Sequence, residues 1–152
     1  MGEVQSPAAL LTEGSAALEL AERTTDRAAI ARALCVVGGA RSARGELAEA
    51  STALTRSLDL ATELGDDSAR AEALVRIAFV QYQRGDTSQA LDTARTGVAL
   101  LRQHGDPAQL ASGLNAVGMA QRVLGNFDAA AATYEEAIIL ARNAGADDQI
   151  AR

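Results

Sequence analysis

Tryptophan and lysine are absent from this chain, cysteine and histidine occur once each, proline occurs twice, and aromatic residues make up 3% of 152 residues. A single Cys35 excludes an intrachain disulfide, and with His104 as its only companion no cluster of His and Cys can hold a metal. Few aromatic and β-branched residues argue against strands. No apolar run approaches the roughly 18 residues of a membrane span. Residues Met1 to Thr24 lack a basic leader, and Glu13, Glu19 and Glu22 interrupt their apolar residues, which does not fit a signal peptide. The expectation is a soluble, cytoplasmic protein without a membrane partner. Net charge is −6 and no arginines cluster, so the basic footprint needed for direct nucleic-acid binding is missing. All 14 basic residues are arginine, which we read as coding bias in a GC-rich, bacterial genome rather than as a functional signal.

What is present is alanine, leucine and a repeat. Hydrophobic residues reach 48%, and a core of Ala and Leu suits closely packed helices, since Ala has the best helix propensity. Gly45, Gly85 and Gly125 lie 40 residues apart; Gly65, Gly105 and Gly145 repeat that interval, offset by 20. Glu46, Asp86 and Asn126 follow the first series, and Asp66 and Asp106 follow two of the second. Glycine ends a helix by turning left-handed, and Asp or Asn starts the next by capping free N–H groups. This spacing predicts helices over 7–23, 27–44, 47–64, 67–84, 87–104, 107–124 and 127–144, with 147–152 opening an eighth. Ser6-Pro7 and Asp106-Pro107 each read as an N-cap before a proline at the first helical position. Asp86 with Gln89 resembles a capping box. Such short connections force neighbouring helices antiparallel.

Apolar residues recur at helical spacing in every unit. First helices carry Leu34/Val37/Gly38, Leu74/Ile77/Ala78 and Leu114/Val117/Gly118. Second helices carry Leu47/Ala50/Leu54/Leu58, Ala90/Leu91/Ala94/Val98 and Phe127/Ala130/Tyr134/Ala137/Ile138. Each stripe defines one buried face. A lone helical hairpin cannot cover such a face, whereas stacked neighbours can.

The third unit, with Leu114, Val117, Gly118, Gln121, Gly125, Phe127, Ala130, Tyr134 and Ala137, resembles the tetratricopeptide pattern. It departs from it in having Gln121 for the usual Tyr, Leu for the first-helix Trp, no closing Pro, and a period of 40 instead of about 34. The longer period is similar to that of kinesin light chains, spindle-orientation adaptors and the sensor regions of large bacterial transcriptional activators. The resemblance covers Pro7 to Arg152. It implies an all-α fold, a right-handed α-solenoid of antiparallel helix pairs, as a single domain over 1–152. A half repeat at 7–26 precedes repeats at 27–66, 67–106 and 107–146, and a further helix starts at 147–152. Both ends then cut through a repeat. This fits a fragment of a longer array, or a chain that completes its ends by self-association, because the first helix is apolar at Leu10, Leu11, Ala17, Leu18, Leu20 and Ala21 and solenoid ends need polar caps.

No residue constellation points to catalysis or to a cofactor. His104 fits a helix-terminal residue favourable to the dipole, and Cys35 a small half-buried hydrophobe. Glu135-Glu136 and Asp147-Asp148 read as solvated surface. Gly38, Gly39 and Gly118 lie within helices, where each costs about 1 kcal/mol relative to Ala; close helix packing is their compensation, and no strand precedes them to make a phosphate loop.

The resemblance further implies a concave groove lined by the first helix of each pair. Carried over, the first unit offers Arg32, Cys35, Gly39 and Ser42. The second offers Glu72, Val75, Arg76, Phe79, Tyr82 and Gln83, and the third Ser112, Asn115, Met119 and Arg122. Asn115 can both donate to and accept from an extended backbone. Phe79, Tyr82 and Met119 offer apolar anchors, and Arg32, Arg76 and Arg122 can fork onto carboxylates. Phe79 and Tyr82 equally suit packing between repeats, and the arginines equally suit a solvated face with partners such as Glu72 for Arg76. The expected function is non-catalytic: a scaffold binding a peptide or partner helix within a larger regulatory or signalling protein. Self-association through the repeat ends is the alternative. A small-molecule sensor is a third, though it needs a closed pocket that three and a half repeats are too short to wrap.

Overall fold

A computed structural model describes residues 5–150. The chain forms α1 (Pro7–Thr24), α2 (Arg27–Ala43), α3 (Leu47–Glu63), α4 (Asp67–Arg84), α5 (Thr87–His104), α6 (Pro107–Val123) and α7 (Phe127–Ile150). No strand occurs among the described residues. Each helix packs on the next in sequence, giving an all-α solenoid of antiparallel neighbours.

Local chemistry explains most of the punctuation. Gly45, Gly65, Gly85 and Gly125 all have positive φ, the conformation that lets a chain leave one helix and enter the next within three residues. The side chains of Ser6, Asp26, Asp66 and Asp106 accept from the N–H groups of Ala9, Ala29, Ala69 and Ala108 at 2.9–3.2 Å. Both prolines sit in the first helical turn.

Several expectations are corrected. Asp86 makes no side-chain cap bond, nor does Glu46. Their ψ angles of 56° and 65° fall short of the extended backbone, 91–150°, of the four residues that do cap, so their carboxylates are not aimed at the first-turn N–H groups. Gly105 is extended (φ −92°, ψ 153°) rather than left-handed. Thr25, not a glycine, takes the left-handed turn after α1. The break expected at Gly145 is absent, because α7 runs through it to Ile150. Gly145 is followed by Ala146, a strong helix former, where the other turns have a polar residue or a capping one. An eighth helix therefore does not begin at 147, and residues 151–152 lie outside the described residues.

The core falls into three clusters along the stack. Its largest cluster joins Ala71, Val75 and Ala78 of α4, Leu91, Ala94, Val98 and Leu101 of α5, Leu114, Ala116, Val117 and Ala120 of α6, and Ala137 of α7. Helical glycines set the spacing: a Cβ on Gly38 meets Leu54, and one on Gly118 meets the Tyr134 ring. Inter-helix polar contacts trim the edges. Ser57 donates to the Ala31 carbonyl at 2.7 Å, Arg27 pairs with Glu63, Arg56 with Glu22 at 3.1 Å and Arg102 with Glu136 at 2.7 Å. The stripe of α7 departs from expectation: Phe127 is 68% and Ile138 51% exposed, because among the described residues no helix packs against its outer side as α6 does against α5.

Candidate functional site

The backbones of the first helices approach one another along the stack, α2 with α4 and α4 with α6, whereas α1, α3, α5 and α7 come close in backbone only to their neighbours in sequence and reach one another through long side-chain pairs, Arg56–Glu22 and Arg102–Glu136. The array therefore curves toward α2, α4 and α6, whose outer side chains line its inner face. Two adjoining depressions lie there. One, of about 260 Å³, is bounded by Glu72, Val75 and Arg76 of α4, Leu101 of α5, and Ala108, Gln109 and Ser112 of α6. The other, of about 250 Å³, is bounded by Gly39, Ser42 and Ala43 of α2 and by Arg76, Phe79 and Gln83 of α4.

Arg76 is common to both. Its guanidinium lies against Gly39, where any Cβ would collide with it, so the glycine creates the seat. Glu72, one turn earlier, accepts from Nε at 3.3 Å and from Nη2 at 3.1 Å. Both side chains remain 38% exposed, which leaves the ion pair reachable from solvent. Such a pair fixes the direction of the guanidinium more than it stabilises the fold. Phe79 is half-buried: it rests on the main core and also lines the second depression. Gln83 is tied to α2. The Ser42 hydroxyl donates to its Oε1 at 2.6 Å, and its Nε2 donates to the Ser42 carbonyl at 3.5 Å.

The remaining sequence-derived residues are more scattered. Arg32 is exposed and borders a separate depression with Glu13, Gly14 and Ala17 of α1 and with Ala29, Ala33 and Val36 of α2. Tyr82 is half-buried near the end of α4, Met119 is half-buried, and Asn115 and Arg122 are exposed on α6. None of these four borders the two central depressions.

Cys35 is corrected. It is 3% exposed and packs with Ala50, Leu54 and Val80 beneath the groove. Burial, reinforced by the Glu72 carboxylate and opposed by Arg76, pushes its thiol up to about 12. At neutral pH this leaves roughly a thousandfold less thiolate than an ordinary thiol has. Maleimide labelling of Cys35 at pH 7 is therefore expected to be slower by at least about a hundredfold in the native protein than in denaturant; equal rates would place the thiol at the surface.

Sequence reasoning missed Ala43, Leu101, Ala108 and Gln109 as groove residues. Gln109 stands one helical turn before Ser112, so extending that stripe would have found it. Leu101 carries a core signature, and no sequence signal shows that its edge reaches the groove. Among the described residues no group of three His, Cys, Asp or Glu side chains could hold a metal ion, and no helix is long and apolar enough to cross a membrane.

Residues 29–103 match the family model of the tetratricopeptide repeat. This stretch is a tetratricopeptide-repeat region. Residues 112–151 match the family model of anaphase-promoting complex subunit 5. Among solved structures, the chain is similar to the crystal structure of BtubC (BKLC) from P. vanneervenii, with 19% identity and a TM-score of 0.70. The match covers 90% of this chain and 57% of that one, so the chain spans little more than half the length of that protein, and the likeness concerns the fold. No curated protein matches. Tetratricopeptide repeats generally mediate protein–protein interactions, and the family is typically a non-catalytic scaffold.

Proposed function

We propose that the inner face of α2, α4 and α6 binds a peptide segment or a partner helix, as a preformed surface with no chemistry of its own. One observation carries the reading: Arg76, held by Glu72 and seated on Gly39, stands between two adjoining depressions floored by Val75, Leu101 and Phe79. A charged fork flanked by two half-apolar hollows suits a chain that alternates a carboxylate with apolar side chains. Arg32 and Arg122 at either end of the face add the same sign of charge, on a protein of net charge −6. Because the seat of Arg76 is built by packing, little ordering is left to occur on binding.

The test is selection of a displayed library of random peptides, about a dozen residues long, on the immobilised chain. Enriched peptides are expected to carry Asp or Glu among apolar residues. Replacing Asn115 and Tyr82 together by Ala should weaken the selected peptides at least about fivefold, roughly 1 kcal/mol, with the helical circular-dichroism spectrum intact. Unchanged affinity in that double variant would remove the outer parts of the face from the binding surface.

A further inference from the structure

The two depressions on either side of Arg76 are built by successive repeats, yet they are not held alike. Around the α2–α4 depression three ties join the helices. Ser57 of α3 donates to the Ala31 carbonyl of α2 at 2.7 Å. Ser42 of α2 donates to Gln83 of α4 at 2.6 Å. The α3–α4 turn closes on left-handed Gly65, whose N–H donates to the Thr62 carbonyl at 3.1 Å, while the Asp66 N–H donates to the Ala61 carbonyl at 3.0 Å.

Forty residues on, around the α4–α6 depression, each of these ties is missing. Gly97 stands in the place of Ser57, and Tyr82 and Val123 stand in the places of Ser42 and Gln83, a pair that can form no side-chain hydrogen bond. Gly105 is extended, its N–H donates to the Leu101 carbonyl at 2.7 Å, and the Asp106 N–H makes no backbone bond to α5. A Cβ on Gly105 would lie 2.8 Å from Leu101 Cα, so this turn depends on close backbone approach instead of on a left-handed residue. Ala73, fully buried, gives way to Gly113, which has no side chain to interlock with α5. Glycine inside a helix also weakens it. The walls of the depression hang on this joint: Leu101 stands in the last turn of α5, and Ala108 and Gln109 in the first turn of α6.

A segment with few ties and unpaired turn amides opens locally at low cost. We propose that the α4–α6 depression is the adjustable half of the inner face. Gly97, Gly105 and Gly113 are its positioning residues, and let it reshape around apolar side chains of different size, whereas the α2–α4 depression accepts one size. The selectivity rests on the inner face being the binding surface.

Amide hydrogen exchange of the free chain tests the joint without a ligand. Corrected for intrinsic rates, residues 101–113 should exchange at least about tenfold faster than 61–73, their counterparts one period earlier, and faster than 121–133. Equal protection of 61–73 and 101–113, or exchange that rises steadily through 121–133, would overturn the proposal. Gly97→Ser returns a hydroxyl to the place of Ser57, where even a Cβ lies 3.3 Å from the Ala71 carbonyl oxygen, and should slow exchange over 98–105 by about fivefold. Recognition is read with one library-selected peptide whose apolar positions carry Val, Leu, Met or Phe in turn. One position should lose at least about tenfold on any change and another less than about threefold. Gly97→Ser should sharpen the second position alone; a purely structural role would move both together. Equal strictness at both positions in a peptide bound to the inner face would overturn the proposal. A peptide that leaves the inner face unperturbed would instead overturn the proposed function, and the selectivity with it, while the exchange contrast still decides the joint.

Discussion

Leu54→Ala lowers the unfolding free energy by about 3 kcal/mol, and Gly38→Ala placed in the same chain gives part of that loss back. Leu54 is fully buried, and truncating such a leucine removes its transfer energy and leaves a cavity that neighbouring helices close only in part. The cavity lies against Gly38. A Cβ there would sit 2.5 Å from Leu54 Cγ and 2.7 Å from Cδ2. In the native background the added methyl overpacks, and even after its gain in helix propensity the net loss is about 1 kcal/mol. In the Leu54→Ala background the same methyl enters vacated space and keeps the propensity gain, so the double variant should be more stable than Leu54→Ala by about 1 kcal/mol. Urea titrations of the four chains measure this. Losses that simply add would mean that Gly38 is not where α2 and α3 close on each other.

The second large effect concerns Arg76. Reversal to Glu should weaken selected acidic peptides by tenfold or more, at least about 1.4 kcal/mol, since it sets a second carboxylate beside Glu72. Binding to the wild-type chain should weaken as salt is raised, because these groups stay exposed to solvent. Arg76→Lys keeps the charge and loses the planar fork, so an intermediate loss is expected. Gly39→Ala is the sharper probe. It removes no charge and should raise helix propensity, but its methyl takes the place in which the guanidinium lies. Weaker binding in a chain no less stable than the wild type is the expected combination, read by titration calorimetry alongside thermal melts. Retained affinity in both Arg76→Glu and Gly39→Ala would detach the arginine from recognition.

The repeat was legible because its signals are local. Glycine at a fixed interval and Asp before a helix act through their own backbone and the N–H groups of the next turn, so helix starts and stops, apart from the end of α7, emerged to within a residue or two. The failures mark where local signals stop. Asp86 has the right side chain on a backbone angle set by its turn. Gly145 has the right spacing but no capping residue after it, and the helix continues. Cys35 lay on the stripe that the repeat pattern assigns to the groove, yet it faces Leu54, because the stripe is wide enough for one edge to fall under the neighbouring repeat. The groove was legible as a face and not as a site. That Arg76 sits over Gly39 and borders both depressions depends on how far α2 and α4 approach, and no spacing in the sequence encodes that.

The central claim is that partners bind on the inner face of the first helices. The most direct test is a titration of the isotope-labelled chain with one selected peptide, followed by amide and side-chain NMR shifts. Perturbations confined to α2, α4 and α6 and strongest around Gly39, Arg76, Phe79 and Ser112 are the predicted result. Perturbations centred on α3 and α5, or on α7, with these residues unmoved, would contradict it.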